Sequence, residues 1–271
     1  MLNEHVKLPS VWVRACLRFF ADCAAITNVE FKKTFREPTE LLSRAIQPIL
    51  WLVIFGQVFS QIKVLPTGSV DYLAFMTPGI LAQSILFSAI FFGIAVIWER
   101  DLGIVHKLLV SPANRGALVL GKALAAGFRG FIQAIIVYFV AALLGVQMFF
   151  SFFAVLGVLG SVIIGSALFS TFSFIIACLV KTRERFMGIG QLLTMPLFFA
   201  SNAIYPLSMM PGWLRVIAKI NPLTYLVDLL RYLMIPGADI AHHAILDLVV
   251  LSVVFLVLLI IAALVYPRLV R

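Results

Sequence analysis

Charge is the scarcest property of this 271-residue chain. Asp, Glu, Lys and Arg make up 12% of it, about half of the roughly 25% usual in a soluble domain. A chain that is also 62% hydrophobic cannot cover itself with polar surface, so lipid is its solvent. Acidic residues are rarer still, twelve against twenty-one basic. None of the twelve, Glu4, Asp22, Glu30, Glu37, Glu40, Asp71, Glu99, Asp101, Glu184, Asp228, Asp239 and Asp247, falls at the centre of a long apolar run. Ion-driven transporters hold a carboxylate or histidine at mid-membrane for the coupling ion, so that class is disfavoured. Cysteine is limited to Cys16, Cys23 and Cys178, with no C-x-x-C, and no disulfide framework follows. The start, MLNEHVKLPSVW, has no charged-then-apolar leader pattern. Six membrane helices use up the length, leaving no room for a soluble catalytic domain.

Long charge-free runs are what the chain does have, and they mark the spans. Residues 45–62 are the first and 72–98 the second. The run 130–180 is twice the roughly twenty residues a crossing needs, so it turns once, at 145–151. Residues 186–204 are the fifth span and 248–266 the sixth. The runs are long and do not alternate polar with apolar, which argues against strands. The expected fold is an all-α membrane protein of six helices in a single transmembrane domain, residues 1–271.

Basic residues orient it. Lys7, Arg14, Arg18, Lys32, Lys33, Arg36 and Arg44 precede the first span. Arg100, Lys107, Arg115, Lys122 and Arg129 follow the second, with Arg129 at the next helix start. Lys181, Arg183 and Arg185 follow the fourth, and Arg268 and Arg271 the last. That places seventeen of twenty-one on one side, leaving Lys63, Arg215, Lys219 and Arg231 on the other. Both termini are therefore expected in the cytoplasm. The basic excess sets orientation and is no nucleic-acid footprint. Residues 10–37, with Ser10 as N-cap and aromatics such as Trp12, Phe19 and Phe20 among Arg14, Arg18 and Asp22, read as a cytoplasmic interfacial helix. On the outer side, 202–244 is too broken by proline to span. It reads as two short helices, one with Trp213, Val216, Ile217 and Ile220 at helical spacing, the other opened by Asn221-Pro222 and ending before Pro236-Gly237. The pair reads as a re-entrant segment or outer lid.

The charged island 98–122, WERDLGIVHKLLVSPANRGALVLGK, is the place where something soluble can take hold. Its tail, GALVLGKA, nearly matches a phosphate loop, but Ala123 offers no hydroxyl for magnesium and no strand precedes it. Gly121 and Lys122 read instead as the entry to the third span, with Lys122 snorkelling to headgroups. His242 and Asp247 have the H-x-x-x-x-D spacing of lipid acyltransferases but sit off one helical face and on the wrong side. His242-His243 lacks further ligands, so no metal is expected. Gly157, Ser161 and Gly165 form a small-residue stripe, read as packing within the bundle. Uncharged polar and aromatic residues, Gln57, Gln83, Phe87, Phe91, Gln191, Thr194, Phe198 and Phe199, are the candidates for a substrate pathway.

Four segments in order, FREPTELLSRAIQPILWLVIFGQVF, YLAFMTPGILAQS, ERDLGIVHKLLVSPANRGALVLGKAL and NAIYPLSMMPGWLRVIAKINPLTYLVDLLRYLM, resemble the type-2 ABC exporter permeases, in particular the daunorubicin-resistance branch, whose relatives export polysaccharide and lipo-oligosaccharide. The resemblance covers nearly the whole chain. It implies a subunit, not an enzyme, that works as a homodimer or beside a paralogous permease. Two copies of a separate ABC ATPase would bind ATP and magnesium, this chain would hold no cofactor, and the site would be the bacterial plasma membrane. It also implies that Glu99, Arg100, Asp101, Leu102, Gly103, His106, Lys107, Leu108, Ser111 and Pro112 form an ATPase-coupling helix. The charged members would pair with the partner, and Leu102, Ile104, Val105, Leu108 and Leu109 would offer it an apolar face. The cargo expected is a drug, lipid or glycolipid, with polysaccharide export as the alternative. Rivals of other classes are a membrane-embedded lipid-modifying enzyme, a secondary transporter, and an anchor subunit without transport.

Overall fold

The computed structural model describes residues 11–36, 38–62, 70–111, 113–180, 182–237 and 240–270. Ser10, expected as a helix cap, and Pro112, expected in the ATPase-coupling helix, lie outside the described residues. So do Glu4, Lys7, Glu37, Lys63, Lys181, Asp239 and Arg271 of the charge count, and the side chains of Trp12, Arg14 and Glu40. Among the described residues eleven α-helices run in chain order: α1 (Val11–Arg36), α2 (Pro38–Leu50), α3 (Gln57–Ile62), α4 (Tyr72–Asp101), α5 (Ile104–Val110), α6 (Arg115–Leu143), α7 (Phe152–Leu179), α8 (Arg183–Phe199), α9 (Gly212–Ile220), α10 (Pro222–Met234) and α11 (Ala244–Val265). No strand occurs among the described residues.

Four helical stretches are long and apolar enough to cross a membrane: α4, α6, α7, and α11 with its continuation to Leu269. The other two expected spans differ. The first starts earlier, at Pro38, and a π-helical turn, Trp51–Gly56, separates α2 from α3. Pro48 lies one turn ahead of that distortion and cannot donate to the carbonyl of Arg44. The Gln133 amide of α6 donates to that carbonyl instead, at 3.2 Å, as a carbonyl freed within a membrane requires. The fifth is α8, seventeen residues ending in a turn at Ala200, or about 26 Å of helix. The third span does not start near Gly130. Helix α6 opens at Arg115, with Asn114 capping the amide of Gly116, so Arg129 lies within the helix. The expected reversal in 145–151 is present, with Gly145 at φ 77° after α6.

Helices α4, α6 and α7 are the centre of the bundle. One apolar core joins α4, α6, α7, α10 and α11. A second, at the end that carries α1 and α5, includes Phe92, Val96, Ile97, Val105, Leu118, Phe174, Phe186 and Tyr266. Gly157 and Gly165 admit Leu233 and Leu226 of α10, and Ser161 is buried between them, so the small-residue stripe packs inside the chain as expected. Asn221 caps α10 through the amide of Leu223 at 3.0 Å, while its Nδ2 donates to the carbonyls of Leu197, at 2.6 Å, and Ala200, at 3.3 Å. One side chain thus begins α10 and finishes α8. Along α9, Trp213, Val216, Ile217 and Ile220 all face outward.

Gly79 supplies the closest approach in the core: a methyl group there runs into the backbone of Ala203, which cannot rotate away as a side chain can. Gly160 has nothing within 4 Å of that position. Gly79→Ala is therefore expected to destabilise the folded protein by about 1–3 kcal/mol, and Gly160→Ala to leave it unchanged. Thermal unfolding of the two variants in detergent checks the difference.

Candidate functional site

The charged island is not a loop. Its first residues finish α4, its last begin α6, and only α5 stands free between them. Gly103, at φ 71°, is the hinge. This backbone conformation suits glycine because it has no Cβ, and it turns α5 away from the axis of α4. Ser111 closes α5 by donating its hydroxyl to the carbonyl of Leu108 at 2.6 Å.

Beneath α5 lies a buried ion cluster drawn from three helices. Glu30 and Lys33 come from α1, Glu99 from α4, Lys122 and Arg129 from α6. Lys122, 4% exposed, bridges Glu99 and the Oε1 of Glu30, the latter at 3.2 Å. Lys33 also holds both carboxylates. Arg129 reaches Glu30 Oε2 at 3.4 Å and lies over the ring of Phe92. Burial would raise the Glu30 carboxyl above its usual range, but the charges of Lys122, Lys33 and Arg129 outweigh it and hold the group below. That contribution is whole above the ordinary value of 4.5 and is lost as pH falls through the lower folded one. Gly121 lets α1 reach α6 closely, with Thr27 donating to its carbonyl at 3.1 Å.

A second, more exposed set ties α4 to α8. Arg183 reaches Asp101 through Nη2 at 2.7 Å and lies over the ring of Trp98. Arg100 pairs with the same carboxylate at 2.9 Å and donates to the carbonyl of Val180 at 3.3 Å.

These contacts correct several expectations. Lys122 does not snorkel, because two buried carboxylates compete for it better than headgroups do. Glu99 is turned inward, and Arg100 and the exposed Asp101 make ion pairs within the chain. Val105 is buried in the chain's own core, with Leu108 and Leu109 half-buried against it. The island instead exposes Leu102, Ile104 and Val110, the last by 88%, beside the exposed His106 and Lys107. Sequence spacing missed this because α5 breaks from α4 at Gly103 and starts a new helical register.

Three of the pathway candidates meet. Gln83, Phe87 and Phe91 on α4 line a cavity of about 260 Å³ with Ser43, Arg44, Gln47, Pro48, Ser84 and Ser88. Arg44 lies 4.7 Å from the centre of the Phe91 ring and 3.3 Å from Ser88 Oγ. Gln83 Oε1 and Ser84 Oγ are buried without a hydrogen-bond partner. The remaining candidates lie elsewhere. Thr194 and Phe198 are buried, Phe198 with its ring 5.8 Å from that of Trp51. Gln57, Gln191 and Phe199 are exposed.

At the opposite end, Asp228, Arg231, Asn202, His242 and Asp247 gather. Sequence spacing pairs only His242 with Asp247; Asp228, Arg231 and Asn202 join them because α10 meets the loop before α11 in the fold. The near phosphate loop lies within α6 and has no loop geometry.

With this geometry in hand, comparison with known proteins is specific. The family model described as ABC-2 type transporter matches residues 21–235. Ycf38 of Cyanophora paradoxa, named as a transport permease, is 32% identical over 79% of this chain and 74% of its own. The daunorubicin resistance ABC transporter permease DrrB1 of Streptomyces coeruleorubidus is 25% identical over 73% of this chain and 69% of its own. Nodulation protein J of Rhizobium leguminosarum bv. trifolii is 27% identical over 75% of this chain and 78% of its own.

Removing Lys122 leaves the two buried carboxylates to the half-exposed Lys33 and, for Glu30, Arg129. Lys122→Met is expected to cost about 3–5 kcal/mol and Lys122→Arg far less, because the charge stays. Thermal unfolding in detergent and the amount of monodisperse protein separate the two.

Proposed function

The chain belongs to the ABC-2 type transporter family, and from that premise we propose that it is the permease subunit of an ATP-driven exporter for a hydrophobic or amphipathic cargo. The observation that carries the proposal is the build of α5. It is anchored by Val105 in the apolar core, hinged at Gly103, and presents Leu102, Ile104 and Val110 outward. A short helix fixed to the bundle with an apolar tip suits a cleft in a separate ATPase.

In this reading the face bearing α1 and α5 is cytoplasmic, in keeping with its excess of basic residues. The segment from α2 to α3, together with α8, completes six crossings with the four long helices, in a bacterial plasma membrane. Two copies of the chain meet two ATPase subunits, which bind ATP and magnesium. ATP-driven closure of the ATPases presses on α5. The ion cluster carries that displacement to α1, α4 and α6 together, and the salt bridge of Asp101 to Arg183 carries it to α8. Cargo enters at the cavity between α2 and α4, where Phe87 and Phe91 offer apolar surface and Gln47, Gln83 and Ser84 offer hydrogen bonds. That mixture suits an amphipathic drug, lipid or glycolipid better than a bare polysaccharide.

The test uses inside-out vesicles holding the chain and its ATPase. ATP-dependent uptake of a fluorescent amphipathic dye is expected, with loss on Ile104→Asp combined with Val110→Asp while the variant still inserts and binds detergent normally. Uptake that runs without ATP and collapses with the proton gradient would overturn the proposal, as would full activity of the double variant.

A further inference from the structure

Two carboxylates are buried together at the end opposite α5. Asp228 on α10 and Asp247 in the first turn of α11 are each 0% exposed. Their surroundings differ. Asp228 Oδ1 accepts from Asn202 Nδ2 at 2.6 Å and faces Arg231 Nη1 at 3.5 Å. Its Oδ2 accepts the backbone amides of Ala241 at 2.9 Å and His242 at 3.1 Å. Asp247 has no hydrogen bond to either oxygen. Arg231, 2% exposed, spends its other contacts on the carbonyl of Asn202, at 2.8 Å, and on the ring of Phe75. An uncompensated buried carboxylate is costly, so this arrangement is complete only with a further positive charge.

The imidazole of His242 shows where that charge belongs. Its Nδ1 lies 3.2 Å from Asp228 Oδ2 and 3.8 Å from Asp247 Oδ1. One ligand atom from each of the three residues lies within 4.8 Å of the others. Ligands about 2.1 Å from a tetrahedral ion stand about 3.4 Å apart, so small side-chain rotations close the set. Stacking of His242 on Tyr225, with ring centres 5.0 Å apart, and the two amide bonds to Asp228 fix the ring in place. His242 is partly open to the outside, leaving a fourth position for water.

We propose that Asp228, His242 and Asp247 form a site for a divalent cation of the zinc class, joining α10 to the start of α11. The oxygen and imidazole donors suit zinc over softer ions, which prefer sulfur. Arg231 stays on the far oxygen of Asp228, away from the ion. The site does not depend on the transport reading, because it concerns the outer segment alone.

The test is zinc itself on the tag-free full chain in detergent. Equilibrium dialysis with elemental analysis is expected to give one zinc per chain, and zinc to raise the thermal unfolding temperature. Asp247→Asn and His242→Ala are expected to lose both effects, and His243→Ala to keep them. His242→Ala guards against a folding defect, because its side chain lies at the edge of the site. Zinc content unchanged in both variants would overturn the proposal. So would wild type with no zinc above background, including the case in which Asp247→Asn is simply more stable, since the carboxylate would then be held neutral by a proton.

Discussion

Opposite charges buried together at the α5 end govern the rest of the molecule. Taking a carboxylate or an ammonium out of water costs several kcal/mol per ion even after relaxation. Glu30 and Glu99 escape that cost only because Lys122 and Lys33 stand between them, with Arg129 behind. The residues come from positions 30, 33, 99, 122 and 129, so the condition is met only when α1, α4 and α6 converge. Convergence then fixes what is attached. Gly121 is set against α1, α5 is set by the hinge at Gly103, and α8 is drawn in by Arg183 on Asp101.

Much of this fold was legible in the sequence, for a simple reason. Helices α4, α7 and α11 are long apolar runs whose charged residues, where they have any, lie only at their ends. The turn near Gly145 and the cap at Asn221-Pro222 were legible as well, because they rest on local backbone chemistry. The start of α6 was hidden. Lys122 and Arg129 look like the charged edge of a span until Glu30, more than ninety residues away in the chain, turns them inward. Hydropathy scores a charged side chain as though water were its only partner. Glu99 and Asp101, read from the sequence as charges for a partner protein, also make ion pairs within the chain. His242 and Asp247 were judged by helical spacing, yet His242 lies before the helix, where that spacing has no meaning.

Uncharged polar residues in the spans follow a related logic. Gln133 looked like an idle amide in an apolar run. It is the donor that proline at position 48 makes necessary, and it holds α2 on α6 at the level of the cavity. Asn221 does similar work for two helix ends at once. In lipid a freed carbonyl has no water to turn to, so each break in a helix fixes a side chain on a neighbour. Gln83 and Ser84 stand apart from this pattern: both residues line the cavity, and Gln83 Oε1 and Ser84 Oγ are buried without a hydrogen-bond partner.

The two polar ends are joined by one stiff element. Helix α4 runs thirty residues, with Pro78 inside it, about 45 Å at 1.5 Å per residue. Near its last turn Glu99 sits in the ion cluster. Near its first turns Gly79 is pressed on the backbone of Ala203, and Phe75 lies under Arg231. Ala203 follows Asn202, which binds both Asp228 and Arg231. A tilt of α4 imposed at Glu99 therefore arrives at the far end against backbone, where there is no side chain to yield. The glycine that permits the contact also makes it unforgiving, and the displacement passes to the segment that carries Asp228. Under the proposed function, α4 would pass a displacement between its two held ends, the ion pair of Glu99 with Lys122 and the close contact of Gly79 on Ala203.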